Sequence, residues 1–298
     1  MIQITLKDGS IKQIESGMSI IEIAKSISGR LAKEAVAGVV NGTTVDLSYV
    51  LTEDVALNIL TINDEEGLDV FRHTSAHVMA MAVQNLFPGT KLAIGPPIEN
   101  GFYYDFDTEH IFVPEDLEKI EKEMKRIIKE NLKPERFILN RSEAVSFMSE
   151  KGADYKVELI NDLPEDAELS FYQHGEFVDL CAGPHLLGLK QIKAFKLLSI
   201  AGACWRGDAD KKMLQRIYAT SFPKASQLEV YLHRLEEAKK RDHRKLGKEL
   251  KLFSLMEQGP GFPFFLPKGM VVKNKLLEYW REVHDEAGYV EIETPQIL

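Results

Sequence analysis

At Pro223 the character of this 298-residue sequence changes. Upstream, short apolar runs are cut by Gly, Pro, Asp-Gly and Asn-Gly signals, the punctuation of strands and short helices. Downstream, "KASQLEVYLHRLEEAKKRDHRKLGKEL" reads as one long helix. Two such regimes in one chain imply a multidomain α+β protein, and the length suits two or more domains of roughly 150 residues.

The first sixty residues read as a small α+β unit. "MIQITL" and "IKQI" flank Asp8-Gly9 as a hairpin would, and Ser19 with Glu22 forms a capping box opening the helix "IIEIAKSIS". "AVAGVV" and "VALNIL" look like buried strands, and "NDEEG" (Asn63 to Gly67) is the first plausible linker. A longer α+β segment follows to Phe222. It contains a helix from about Asp69 to Leu86, a second in "PEDLEKIEKEMKRIIKEN", a hairpin turning at His174-Gly175 and a closing strand "QRIYATSF". Past the long helix, "QGPGFPFFLPKG" breaks the pattern, another helix runs to about Ala287, and "GYVEIETPQIL" reads as a strand interrupted by Pro295.

Charge and cysteine usage narrow the setting. A net charge of −9 argues against coating nucleic acid by bulk electrostatics, although a local basic face remains open. Lys239, Lys240, Arg241, Arg244, Lys245 and Lys248 form one such stretch, either a solvated helix face or a contact for RNA phosphates. Cys181 and Cys204 are too few for a disulfide framework. The start resembles no targeting segment and no apolar run approaches ~18 residues, so a cytoplasmic, reducing location without membrane contact is expected.

The chemistry concentrates in two places. In "FRHTSAH", His73 and His77 stand at i and i+4 and share a helix face, one turn apart. In "DLCAGPH", Cys181 and His185 are also four apart, on a loop at a strand end. Three imidazoles and a thiol are a coherent zinc set by type and number, if the segments meet. A metal-free acid/base site competes, because a neutral imidazole titrates near pH 7. Asp179 and Lys156 could add a carboxylate and a fixed cation, or be an ordinary ion pair. "GPPIENGFYYDF" suggests a rigid bend lining a pocket or plain core packing. His110, His174, His233, His243 and His284 read most simply as loop or helix-surface residues.

Taken in order, "HTSAH", "GPPIENGFYYDF", "YKVELI", "FVDLCAGPH", "AGACWRGD", "MLQRIYATSF" and "RLEEAKKRDHRKLGKEL" resemble the bacterial threonyl-tRNA synthetase family over essentially the whole chain. The resemblance implies a β-grasp TGS domain at 1–62 and an editing domain of the threonyl/alanyl type at 63–224. It further implies a linker helix at 225–242 and, at 243–298, the start of a class II antiparallel-sheet catalytic domain, with Pro295 in motif 1. No counterpart of motifs 2 and 3 is present. The resemblance therefore implies that this stretch edits seryl-tRNA for threonine and does not itself join threonine to tRNA. ATP, Mg and Zn are then expected only for the missing catalytic domain, and no cofactor here; the partners would be tRNA for threonine and, in the full-length enzyme, a second copy. His73, His77, Lys156, Asp179, Cys181 and His185 are implied to form the editing site, with Tyr104 in the substrate wall. Related free-standing editing proteins bind zinc in such a site. Four side-chain ligands would fill a zinc shell and leave no place for the attacking water, so a metal-free site is expected, and His73, His77, Cys181 and His185 are the ligands if zinc binds. A zinc-dependent deacylase and a non-catalytic RNA-binding role are the alternatives.

Overall fold

The computed structural model describes residues 1–294. Residues 1–228 form one compact unit, and a second begins at Glu229.

Strands β1 (Ile2–Leu6) and β2 (Ile11–Ile14) pair across Asp8-Gly9, where Gly9 supplies the positive φ of the turn. β3 (Met18–Ser19) leads into α1 (Ile20–Ile27), and the Ser19 N–H and hydroxyl donate to the Glu22 carboxylate at 2.8 and 2.6 Å. After α2 (Gly29–Glu34) come β4 (Ala35–Val40), β5 (Thr43–Val45), β6 (Val50–Leu51) and β7 (Val55–Thr61). The sheet order is β2-β1-β7-β4-β5, with β1 and β7 parallel. Ile20 and Ile23 of α1 pack on Ile4, Leu57 and Leu51, closing a purely apolar core.

The expected linker is not one. Asp64 accepts from the Thr61 N–H and hydroxyl, both at 2.7 Å, and helix α3 (Glu65–Leu86) starts at once, four residues ahead of the expected Asp69. This long helix is buried from Val70 to Val83 except at His73. The strands β8 (Lys91–Leu92), β9 (Pro97–Ile98) and β10 (Gly101–Asp107) and helix α4 (Pro114–Glu130) follow. β11 (Glu135–Leu139), α5 (Arg141–Glu150), α6 (Asp154–Asp162), β12 (Leu169–His174) and β13 (Phe177–Leu180) make a smaller layer, a sheet ordered β11-β12-β13 with α5 and α6 beside it. β14 (Ala194–Cys204) and β15 (Met213–Phe222) complete the larger sheet, ordered β14-β15-β10-β8. β15 is thus interior to that sheet. Phe71 and Met79 of α3, Ile120 and Met124 of α4, and Phe102, Phe106 and Ile217 of the sheet share one core.

Helix α7 (Ala225–Lys240) ends where one continuous helix was expected. Asp242 stops it by capping the next helix, α8 (His243–Glu249): its carboxylate accepts the Arg244 N–H at 2.8 Å, a local competitor for the backbone. β16 (Phe253–Leu255) and β17 (Pro263–Phe265) pair as a hairpin before α9 (Pro267–Glu286). Residues 289–294 form no strand, contrary to expectation, and Pro295 lies outside the described residues. Among the described residues no helix is long and apolar enough to cross a membrane.

Candidate active site

Helix α3 presents His73 and His77 on one face, their ring centroids 4.8 Å apart. Facing them is the loop leaving β13. Cys181 is tied back to β12, its N–H donating to the Ser170 carbonyl and its carbonyl accepting the Ser170 hydroxyl. The loop turns through Gly183 at φ +68°, where a Cβ would come within 2.0 Å of the Tyr172 hydroxyl, and a cis Gly183-Pro184 bond, to reach His185. Cys181 Sγ stands 2.7 Å from His73 Nε2 and 3.3 Å from His185 Nε2. One ligand-type atom from each of His73, His77, Cys181 and His185 lies within 4.8 Å of the others.

A second group adjoins this one. Lys156 of α6 forms an ion pair with Asp179 of β13 at 2.7 Å. Tyr104 of β10 donates its hydroxyl to the other Asp179 oxygen at 2.6 Å and accepts from Lys156 at 3.3 Å. His77 Nε2 lies 3.5 Å from the same carboxylate. All four side chains are buried. Tyr155, next to Lys156, braces α6 by donating to Asp107 at 2.8 Å and packing edge-on against Trp205. The fold therefore brings together all seven residues singled out in the sequence. Six of them, His73, His77, Tyr104, Lys156, Asp179 and Cys181, line a cleft of about 600 Å³, with Gly95 to Pro97 on the rim. His185 is fully buried behind that wall.

Burial sets the protonation. It pushes His73 down to about 4, outweighing the opposite pull of Asp179. His77 and His185 are also held well below the usual histidine range, by burial first and then by neighbouring imidazoles. Burial, with the Asp179 charge adding to it, pushes the Cys181 thiol up to about 12, so at neutral pH it is a thiol and not a nucleophilic thiolate. Neutral imidazoles beside a thiol suit either proton traffic or metal ligation.

Thr74 anchors His185. Its hydroxyl accepts the Leu186 N–H at 3.1 Å, reaches the Val70 carbonyl at 2.9 Å and stands 3.1 Å from His185 Nδ1. His185 Nε2 thereby faces the Cys181 thiol at 3.3 Å. Thr74, though inside "HTSAH", drew no attention in the sequence, where a helical threonine between two histidines has no distinguishing mark. His174 was expected at a turn surface and is instead buried at the end of β12, its ring 5.6 Å from His185 and 6.4 Å from His77. Burial lowers it to about 4. Neither of its nitrogens, nor His77 Nδ1, has a hydrogen-bond partner among the described residues.

The chemistry of the donor set fits a soft divalent metal. Three neutral imidazoles and a thiol converge, one of them already fixed through its outer nitrogen by Thr74 as metal-bound histidines are, and the buried His77 Nδ1 lacks a partner.

Comparison with known proteins agrees with this architecture. Residues 2–61 match the TGS domain family, and residues 169–218 match the threonyl and alanyl tRNA synthetase second additional domain. Over 298 residues the chain is 62% identical to the threonine–tRNA ligase of Clostridioides difficile (strain 630), covering 100% of this chain and 47% of that relative. The threonine–tRNA ligase of Acetivibrio thermocellus is likewise 62% identical, and that of Clostridium novyi (strain NT) 60%, with the same coverage. The chain thus spans about half the length of the curated relatives it matches. It carries a TGS domain and a threonyl/alanyl second additional domain, and along its whole length it is similar to the N-terminal 47% of those threonine–tRNA ligases.

Proposed function

We propose that the cleft hydrolyses the ester of seryl-tRNA carrying the threonine tRNA, as the editing activity of a longer enzyme that joins threonine to that tRNA. A synthetic pocket built for threonine admits serine, which is smaller by one methyl, and one methyl discriminates by only ~1–3 kcal/mol. A second site that rejects threonine by a steric clash supplies the rest. The observation that carries the reading is the convergence of His73, Lys156, Asp179 and Tyr104 on one cleft beside Cys181. In this scheme His73, the neutral imidazole on the cleft wall, takes a proton from water as it attacks the seryl carbonyl. The carbonyl–ribose C–O bond breaks, and the proton passes to the departing ribose hydroxyl. The Lys156 ammonium has three donors, two engaged by Asp179 and Tyr104, and offers the third to the oxygen that gains charge. His77, Asp179 and Tyr104 hold the substrate, while His185 fixes Cys181 from behind.

The same proposal divides the chain at residues 1–62, 63–224, 225–242 and 243–298, as TGS domain, editing domain, linker helix and the start of a catalytic domain. It assigns threonine tRNA as the partner, a homodimer to the longer enzyme, and the cytoplasm as the location. Deacylation assays on seryl- and threonyl-tRNA test it: the protein clears the first and spares the second, and His73→Ala or Lys156→Ala abolishes clearance. Unchanged turnover in both variants overturns it.

A second reading has its own support in the four donor atoms that lie within 4.8 Å. A zinc-type ion held by His73, His77, Cys181 and His185 would act as a Lewis acid toward an ester carbonyl or a water. Because four protein ligands complete a tetrahedral shell, we favour a water held by side chains. Protein purified without chelator and then stripped of metal keeps its deacylation rate on this view. One tightly held zinc per chain whose removal stops the reaction reverses the choice.

A further inference from the structure

Asp46 follows the last residue of β5 in the N-terminal sheet, yet both of its carboxylate oxygens reach residues behind the cleft. Oδ1 accepts the backbone N–H of His185 at 2.9 Å, and Oδ2 accepts the Tyr172 hydroxyl at 2.6 Å. These partners lie far from it in sequence and next to each other in space: the Tyr172 and His185 ring centroids are 4.5 Å apart. Tyr172 also faces Asp179 across the β12–β13 pair and underlies Gly183, so it is the floor of the loop that carries Cys181 and His185.

The platform beneath Asp46 is rigid. The preceding Val45 pairs with Gly38 at the edge of the sheet, the Asp46 carbonyl accepts the Tyr49 N–H at 3.0 Å, and the buried Leu47 accepts from Ile21 at 2.9 Å. A short carboxylate on such a base has little freedom. Its reach therefore sets where the His185 peptide sits.

We propose that Asp46 is a positioning residue for the cleft, through which the TGS domain fixes the backbone of His185 and the Tyr172 floor and so aligns the His185–Cys181 pair. With Asp46 holding the main chain and Thr74 against Nδ1, the His185 ring is held at two points, and its Nε2 stays against the thiol. A contact that only glued two domains together would not need to fall on the peptide of a site residue. The proposal rests on the ester-hydrolysis reading for its kinetic consequence, and not for its structural one.

Asp46→Ala, Asp46→Asn and Tyr172→Phe test it in the whole chain, with seryl-tRNA hydrolysis and hydrogen exchange at the His185 amide as paired readouts. Asp46→Ala removes both hydrogen bonds to the carboxylate and should lower kcat about 10- to 100-fold, chiefly through the one to the His185 N–H, with KM changed by less than about threefold. The His185 amide should exchange at least about tenfold faster in that variant. Asp46→Asn keeps an acceptor at Oδ1 and should recover kcat to within about threefold of the parent. If Asp46→Ala does not fold, Tyr172→Phe decides: it should lower kcat about threefold and loosen the same amide, and no change in either overturns the proposal. An Asp46→Ala protein with parental kcat and parental exchange overturns it, as does an Asn variant no better than Ala. If the parent protein does not hydrolyse seryl-tRNA, the ester reading fails alone, and unchanged His185 exchange in Asp46→Ala remains the result that refutes the positioning role.

Discussion

Under the N-terminal sheet, Ile4, Ile20, Ile23, Leu51 and Leu57 meet with no titratable side chain in their cluster. Around His77, equally buried, stand three more imidazoles, a thiol, a carboxylate and an ammonium. The first region gains roughly 1.5–3 kcal/mol for each large side chain removed from water. The second loses free energy wherever a charge or polar atom is buried, and recovers it only through pairing. One compact unit thus contains a region that stabilises and a region that is tolerated, and the tolerated one lines the cleft. This is the pattern expected where catalysis is placed at the expense of stability.

Breaking the pairing gives the largest effect. Asp179→Leu alone strands the Lys156 ammonium in the interior and should destabilise by about 3–5 kcal/mol in urea unfolding. Phe102→Ala, in the apolar core behind the cleft, should cost a similar ~3–5 kcal/mol. The double variant Lys156→Met with Asp179→Leu separates the two regions. It should match or exceed the parent in stability while hydrolysing no seryl-tRNA, whereas no double substitution in the apolar core should gain stability.

Acid sharpens the contrast. Burial depresses His73 and His174 to about 4 in the folded protein, below the 6.5 of an exposed imidazole. Between those values the unfolded chain binds more protons, so stability is full above pH 6.5 and falls as the pH drops toward 4. The loss is on the order of 3 kcal/mol for each such histidine. Urea unfolding at pH 7 and pH 4 measures it, and His174→Gln, which cannot titrate, should remove His174's share. The acid limb of kcat/KM should likewise fall near pH 4; an inflection near 6.5 would mean that His73 is not desolvated. The smallest effect is expected on α9, where Val271→Ser replaces an exposed apolar residue and should change stability by less than about 0.5 kcal/mol.

Much of this was legible from residue order. Asp8-Gly9, the Ser19–Glu22 box and the helical spacing of α4 mark their elements because local chemistry decides them. The i, i+4 histidines announced a shared face, and "DLCAGPH" its partner loop. The sequence was less informative where a contact spans the chain. Asp46 has no local signature, and its partners lie more than a hundred residues away. His174 beside Gly175 looked like a turn residue because β12 ends there, and nothing local tells which face of the strand it takes. Asp242 inside a helical pattern concealed a cap. The helix expected to about Ala287 is α9, but its Val271, Val272, Leu276 and Tyr279 are exposed, since a helical pattern does not say what covers a face.

Gly67, in the first turn of α3, has a mechanical consequence. A Cβ there would come within 1.9 Å of the Thr61 carbonyl oxygen and 3.0 Å of Val36. The end of β7 and the start of the helix bearing His73 therefore touch main chain to main chain, with no slack between them. A tilt of the N-terminal sheet is passed directly into the first turn of that helix, about two to three turns before His73 and His77 near its middle.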